Sequence, residues 1–167
     1  MQLCEICKEP AARCVMSGRE NVARCYCYVH AVEAGVLEVP LDLLKRAAAE
    51  TGYPANAVIF VLESLIRAGC FTEVETADEA AWTIEAPKTP LEVCVSLSRE
   101  AVERFQQQAG LALNYWKLRR GNDLSAILSW LVRSGALTIS GDGNEKLLEG
   151  LSTMEGPLVV EAGTAAK

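Results

Sequence analysis

The sequence has a single histidine, His30, among its 167 residues. That scarcity excludes most nucleophilic and general-base chemistry that relies on an imidazole free to exchange protons. Aromatic residues make up only 6% of the chain, so few rings are available both to fill a core and to stack on a ligand. No apolar run reaches the roughly 18 residues of a membrane span, and no membrane association is expected. Met1-Gln2-Leu3-Cys4 offers neither a basic n-region nor an apolar h-region, so no secretory leader is expected either. No glycine-rich phosphate-binding motif occurs; Gly141-Asp142-Gly143-Asn144 reads as a turn. Basic residues are also outnumbered, 16 against 22 acids for a net charge of −6. A chain of that sign is poorly suited to generic binding of a phosphate backbone.

What the chain does have is cysteine, and it is concentrated near the start. Cys4-Glu5-Ile6-Cys7 and Cys27-Tyr28-Val29-His30 are two short turns. Each can aim two soft ligands at one ion. Together they supply the four ligands of a closed tetrahedral zinc site, Cys4, Cys7, Cys27 and His30. Between them, Arg13–Met16 and Asn21–Arg24 flank Ser17-Gly18-Arg19-Glu20 and predict a β-hairpin. Cys14 and Cys25 leave two alternatives open: they face each other across the hairpin, or Cys25 replaces Cys27 in the ligand set. The regular two-residue gap to His30 favours Cys27. Seven cysteines is an odd number, which suits a reducing, cytoplasmic setting better than a fully paired disulfide scaffold.

Charge is unevenly distributed. Residues 36–86 carry nine acids and three bases, whereas 87–136 carry seven bases and four acids. Pro40 opens a helix through Leu41, Leu44, Ala47 and Ala48 that Gly52 stops. Residues 55–68 follow, apolar on nearly all sides, as a central core helix. Residues 70–74 and 81–85 read as short strands around the acidic residues Glu75, Asp78 and Glu79. Thr89-Pro90-Leu91-Glu92 is a capping-box start, and its helix is expected to turn Leu91, Cys94, Val95, Val102 and Phe105 inward and to end at Gly110. Residues 111–118 form a shorter helix anchored by Leu113 and Trp116. Leu124, Ile127, Leu128, Leu131 and Val132 stripe another, and Ala136–Ser140 a strand. One weak helical turn is expected before a flexible tail, 151–167.

The expected fold is therefore mainly α, of α+β type. It has a zinc-ribbon module (1–35) with a β-hairpin, then a body (36–150) of about five helices with one or two short hairpins. The connector, apolar at Val32, Val36, Leu37 and Val39, lacks the composition of a flexible linker. Docking of the module through Val15, Val22 and Tyr28 is expected. An internal echo aligns Val61–Thr72 with Ile127–Thr138, both helix, glycine, strand, as where a winged helix passes into its wing. A recognition helix must offer polar residues to a groove, and the first copy offers Val58, Ile59, Phe60 and Val61.

Cys4, Cys7, Cys27 and His30 resemble the N-terminal zinc modules of McsA-type proteins, bacterial activators of a protein-arginine kinase; Cys14 and Cys25 depart from that pattern. The body resembles a small bacterial helical family without an assigned function. That resemblance rests on Tyr53-Pro54-Ala55-Asn56-Ala57, Phe60–Glu63, Arg104-Phe105, Tyr115-Trp116 and Leu131–Leu137. Neither resemblance implies a catalytic residue. Cys70 and Cys94 lie in apolar surroundings where thiols are inert. The expected function is a non-enzymatic, zinc-binding adaptor or regulator in the cytoplasm that acts on a protein partner. The alternative is a nucleic-acid or ribosome-associated factor using Arg13, Arg19 and Arg24 with Lys117, Arg119 and Arg120.

Overall fold

The computed structural model describes residues 2–16, 23–37, 40–69, 72–75, 80–84, 88–139 and 143–158. The hairpin turn with Arg19, and also Val22, Val39, Cys70, Asp78 and Glu79, lie outside the described residues, as do 159–167. The fold is mainly helical with short strands, as the sequence predicts. Strands β1 (Arg13–Met16) and β2 (Ala23–Tyr26) pair antiparallel, and a six-residue helix α1 (Tyr28–Glu33) follows directly. Helices α2 (Leu41–Thr51) and α3 (Ala55–Arg67) start behind Pro40 and Pro54. Strands β3 (Thr72–Glu75) and β4 (Ala80–Ile84) form an antiparallel pair, and β5 (Leu137–Ile139) joins β4 in parallel.

The helices between them are α4 (Pro90–Phe105), α5 (Ala109–Tyr115) and α6 (Gly121–Arg133), with α7 (Gly143–Thr153) after β5. The capping box at α4 is complete: the Glu92 N–H donates to Thr89 Oγ1 and the Thr89 N–H to Glu92. The helix–glycine–strand echo is real in the backbone. Gly69 and Gly135 both take left-handed φ values, 66° and 78°, at the ends of α3 and α6. The strands they lead to lie in one sheet. Yet α3 is buried along Asn56–Leu62 and again at Ser64 and Leu65, so it has no broad polar face to present to a groove.

Three expectations need correction. α4 does not run to Gly110: Gln106, at φ 51°, turns the chain into a 3₁₀ turn and α5 starts at Ala109. Its inward stripe is Val93, Cys94, Leu97, Ala101 and Phe105, while Leu91 and Val95 face outward. And 151–158 is not a flexible tail. α7 extends to Thr153, Leu147, Leu151 and Leu158 are buried, and Pro157 bridges to Arg120. Two glycines explain how this helix packs so closely. A Cβ on Gly121 would meet the Leu151 carbonyl oxygen at 2.6 Å, and one on Gly150 would collide with Pro90.

Among the described residues, one core serves the ribbon and the helices. Tyr28, Phe60, Phe105 and Trp116 form an aromatic cluster; Trp116 lies 5.3 Å from Phe60, 5.4 Å from Phe105 and 5.9 Å from Tyr28. The ribbon is thus docked, and through Tyr28. Val15 is 36% exposed and does not carry the contact. Charges reinforce it. Arg13 on β1 pairs with Glu63 on α3. Arg104 on α4 pairs with Glu63 at 2.9 Å and with Glu100, and its guanidinium carbon lies 5.5 Å from the Tyr28 ring centroid. Burial works against the charge on Arg104. The neighbouring Tyr28, Glu100 and Glu63 outweigh it and hold the pKa above the usual guanidinium value.

Removing Arg104 leaves Glu63 and Glu100 buried with weakened compensation, and breaking such a pair costs about 3–5 kcal/mol. Arg104→Ala should lose stability on that scale in urea unfolding. Arg67, whose pair with Glu100 is 54% exposed on the arginine side, should tolerate Arg67→Ala at a cost of less than about 1 kcal/mol.

Candidate metal centre

The first turn is fixed by its backbone. The Cys4 N–H donates to the Glu9 carbonyl at 2.8 Å, and the Lys8 N–H donates back to the Cys4 carbonyl at 3.0 Å. Lys8 takes a left-handed φ of 63° to close the loop. A bridge between Leu3 and Pro10 continues it. This turn is then fastened to β2: the Glu5 N–H donates to the Cys25 carbonyl at 2.9 Å, and the Cys25 N–H to Glu5 Oε1. The second turn is a helix start. Cys27 sits at the N-cap of α1 and His30 one turn in, so residues three apart share one face.

These two turns bring Cys4, Cys7, Cys27 and His30 together, with their ligand atoms all within 4.8 Å of one another. His30 Nδ1 lies 3.3 Å from Cys4 Sγ and 3.2 Å from Cys27 Sγ, and Cys7 Sγ is 3.6 Å from Cys27 Sγ. A tetrahedral ion with metal–sulfur bonds of about 2.3 Å sets its sulfurs about 3.7 Å apart. The cluster therefore has the size of an ion's coordination shell. The outer ring nitrogen, His30 Nε2, lies 3.8 Å from Glu33 Oε2, placing a carboxylate behind the imidazole as in many metal sites. Cys4 and Cys27 are buried and Cys7 is exposed.

The thiols are electrostatically unequal. Burial opposes ionisation of Cys4, but the backbone N–H groups of Cys7, Cys27 and Ile6 converge on its sulfur and hold its pKa at about 6. Cys27 is pushed up to about 12, by burial first and then by the adjoining Cys7 and Cys4 thiols. Burial also raises Cys7, with Cys4 adding to the effect. Crowded thiols cannot all ionise beside one another. A divalent cation at their centre supplies the charge that lets them do so.

Cys14 and Cys25 are directly opposite in the β1–β2 register, with Cα atoms 4.1 Å apart, and form a disulfide. Neither belongs to the ligand cluster. Of the other expected contact residues, Arg13 is turned inward onto Glu63, and Arg24 is exposed on β2. Lys117, Arg119 and Arg120 are exposed in the link between α5 and α6. There Asp123 Oδ2 accepts from the backbone N–H groups of Arg119 and Arg120. Trp116 beside them is buried, and Tyr115 is 57% exposed. Cys94 is buried, which raises its thiol pKa as expected for inert packing. Glu33 and the Glu100–Arg104 pair are not among the expected site residues; the signals that mark them are the three-residue spacing of Glu33 from His30 and the i,i+4 spacing within the pair. No protein-family model matches the chain, and no curated protein or solved structure matches it either.

Elemental analysis of the purified chain should find about one divalent ion per molecule. Cys7→Ser should lose it, and Cys14→Ser with Cys25→Ser should retain it. Because Tyr28 joins the metal cluster to the core, a chelator should lower the main calorimetric transition. An unchanged transition would mean that the ribbon and the body are independent.

Proposed function

We propose that the chain is a zinc-binding, non-enzymatic adaptor or regulatory protein of the cytoplasm, acting through contacts with a protein partner. The ligand chemistry supports zinc. Three thiolates and one imidazole are a soft, closed tetrahedral set, with no coordination position left for a substrate or an activated water. The single observation that carries the structural role is Tyr28. It stands between ligand positions Cys27 and His30 and is fully buried in the core of the body. The ion would hold a fold together and have no reaction to perform. The likeness of this module to the zinc modules of McsA-type proteins rests on the spacing of Cys4, Cys7, Cys27 and His30. In a reducing cytoplasm the Cys14–Cys25 pair would stand as two thiols, without change to the ligand set.

A protein partner is supported by the surface. Leu3, Ile6 and Met16 on the ribbon, and Leu91, Val95 and Leu111 on the helices, are large apolar side chains between 47% and 65% exposed. Leu91 and Val95 adjoin one helical turn apart on α4, and an adjoining apolar pair, unlike scattered residues, suits contact with another protein. The nucleic-acid reading keeps one specific support, exposed Tyr115 beside exposed Lys117, Arg119 and Arg120, since a ring among cations can stack on a base. Arg13, engaged by Glu63, does not add to it.

Cross-linking the tagged, zinc-loaded chain in native lysate, with and without nuclease, separates the two readings. The adaptor reading expects a discrete protein cross-link that survives nuclease. Capture that vanishes with nuclease, and with Arg119→Glu/Arg120→Glu, would replace it with the nucleic-acid reading.

A further inference from the structure

The outward stripe of α4 lines an open trough. Leu91 and Val95, 62% and 48% exposed, and half-buried Val102 form one wall. Met154, Pro157 and Leu158, in the segment after α7, form the other, enclosing about 590 Å³. This segment is held in place: the Leu158 N–H donates to the Arg119 carbonyl at 2.9 Å. The two walls are therefore fixed parts of the fold.

Arg99 and Glu103 border this trough and also line an adjoining polar recess of about 320 Å³ that holds Arg67 and Lys88. Three cations, Arg67, Lys88 and Arg99, meet there with two carboxylates, Glu100 and Glu103, for a net charge of +1. Of the two carboxylates beside them, Glu100 is already engaged by Arg67 and Arg104. Among the described residues no ion pair engages Arg99. In a chain of net charge −6, an apolar trough that ends on cations is a specific combination.

We propose that this trough is the docking site for an acidic amphipathic helix of the partner protein. The proposal rests on the adaptor reading and names the chemistry of its partner. Aliphatic side chains at i, i+4 spacing would lie between Val95 and Leu158, and a carboxylate at the edge of the same helix would reach Arg99, with Lys88 and Arg67 behind it. From Leu91 to Val102 the wall spans three turns, about 16 Å, which matches a short partner helix. Because the trough is open along its length, it would leave a lipid chain largely in water, whereas small-molecule sites bury most of their ligand.

The test uses the full-length, metal-loaded chain and two synthetic helical peptides of roughly three turns. Both carry the same leucines at i, i+4 spacing; one carries glutamates along the flanking edge and the other lysines. Titration calorimetry should show the glutamate peptide binding, and the lysine peptide at least roughly tenfold weaker, a difference of about 1.4 kcal/mol. Val95→Glu should abolish binding of the glutamate peptide, and Arg99→Glu should invert the preference between the two. Both positions are exposed, so an unchanged thermal melt verifies that the variants fold. Equal binding of the two peptides, no binding of either, or a preference that survives Arg99→Glu overturns the proposal. So does Val95-dependent binding to phosphatidylglycerol vesicles, or a self-association that Val95→Glu removes in sedimentation. If the peptides fail while a nuclease-resistant protein cross-link persists in Val95→Glu, this site is wrong and the adaptor reading stands. If both fail, both are wrong.

Discussion

Tyr28 occupies the two-residue gap between Cys27 and His30, and that placement governs the rest of the structure. The sulfur and the imidazole on either side fix the first turn of α1, and the first turn of α1 fixes where the ring points. It points into the body, against Phe60 and Trp116, with Arg104 over its face. A helix of only six residues has too few backbone hydrogen bonds to hold itself. The core holds it from one side, where Asn56 accepts the Val29 N–H, and an ion on the ligand cluster would hold it from the other. The ribbon and the helices are therefore packed on one another through this ring, with Val32 and Leu37 of the connector against the same core.

The same junction shows why the charged residues around it are retained. Arg13, Glu63, Arg104, Glu100 and Arg67 alternate in sign across β1, α3 and α4. An ion network at a buried seam adds little to stability compared with well-packed apolar residues. What it adds here is direction. Asn56 accepts the Val29 N–H and donates to Glu9, and Arg104 donates to the Ala12 carbonyl. Hydrogen bonds of fixed geometry permit one orientation of the ribbon on the helices, where an apolar seam would accept several.

Much of this was legible in residue spacing. The two turns of candidate ligands, the capping box at Thr89, the proline starts of α2 and α3 and the glycines after α3 and α6 each follow from local chemistry, and each stands where that chemistry places it. The difficulties arose where a helix had more than one apolar stripe. On α4, Leu91, Cys94, Val95, Val102 and Phe105 are spaced as one face. Val93, Cys94, Leu97, Ala101 and Phe105 are spaced equally well, and only the second set is the core stripe. Periodicity can find both stripes but cannot say which one the body covers. α7 runs about three turns where the sequence suggests one weak turn, for the opposite reason. Leu147, Leu148 and Leu151 are a thin stripe, and the closeness that makes them enough comes from Gly121 and Gly150, which weaken a helix in isolation. Arg13 looked like a free surface cation because its partner, Glu63, is fifty residues away.

α4 connects these observations. Its inner stripe enters the core at Leu97, Ala101 and Phe105. Its side carries Glu100 and Arg104 to the seam below the ribbon, and its outer stripe is the exposed wall at Leu91 and Val95. α4 is one continuous helix of 16 residues, so a single backbone sets where all three faces lie. Arg99 and Glu100 are adjacent in the chain, one facing the trough and the other sharing the guanidinium of Arg104, which covers Tyr28. The contacts between the trough and the candidate metal cluster are thus one backbone step to Glu100, its ion pair with Arg104, the Arg104–Tyr28 contact, and the backbone step from Tyr28 to Cys27. In this fold the candidate metal cluster and the apolar wall are remote in sequence, and α4 carries the wall on one face and the Arg104 that covers Tyr28 on another.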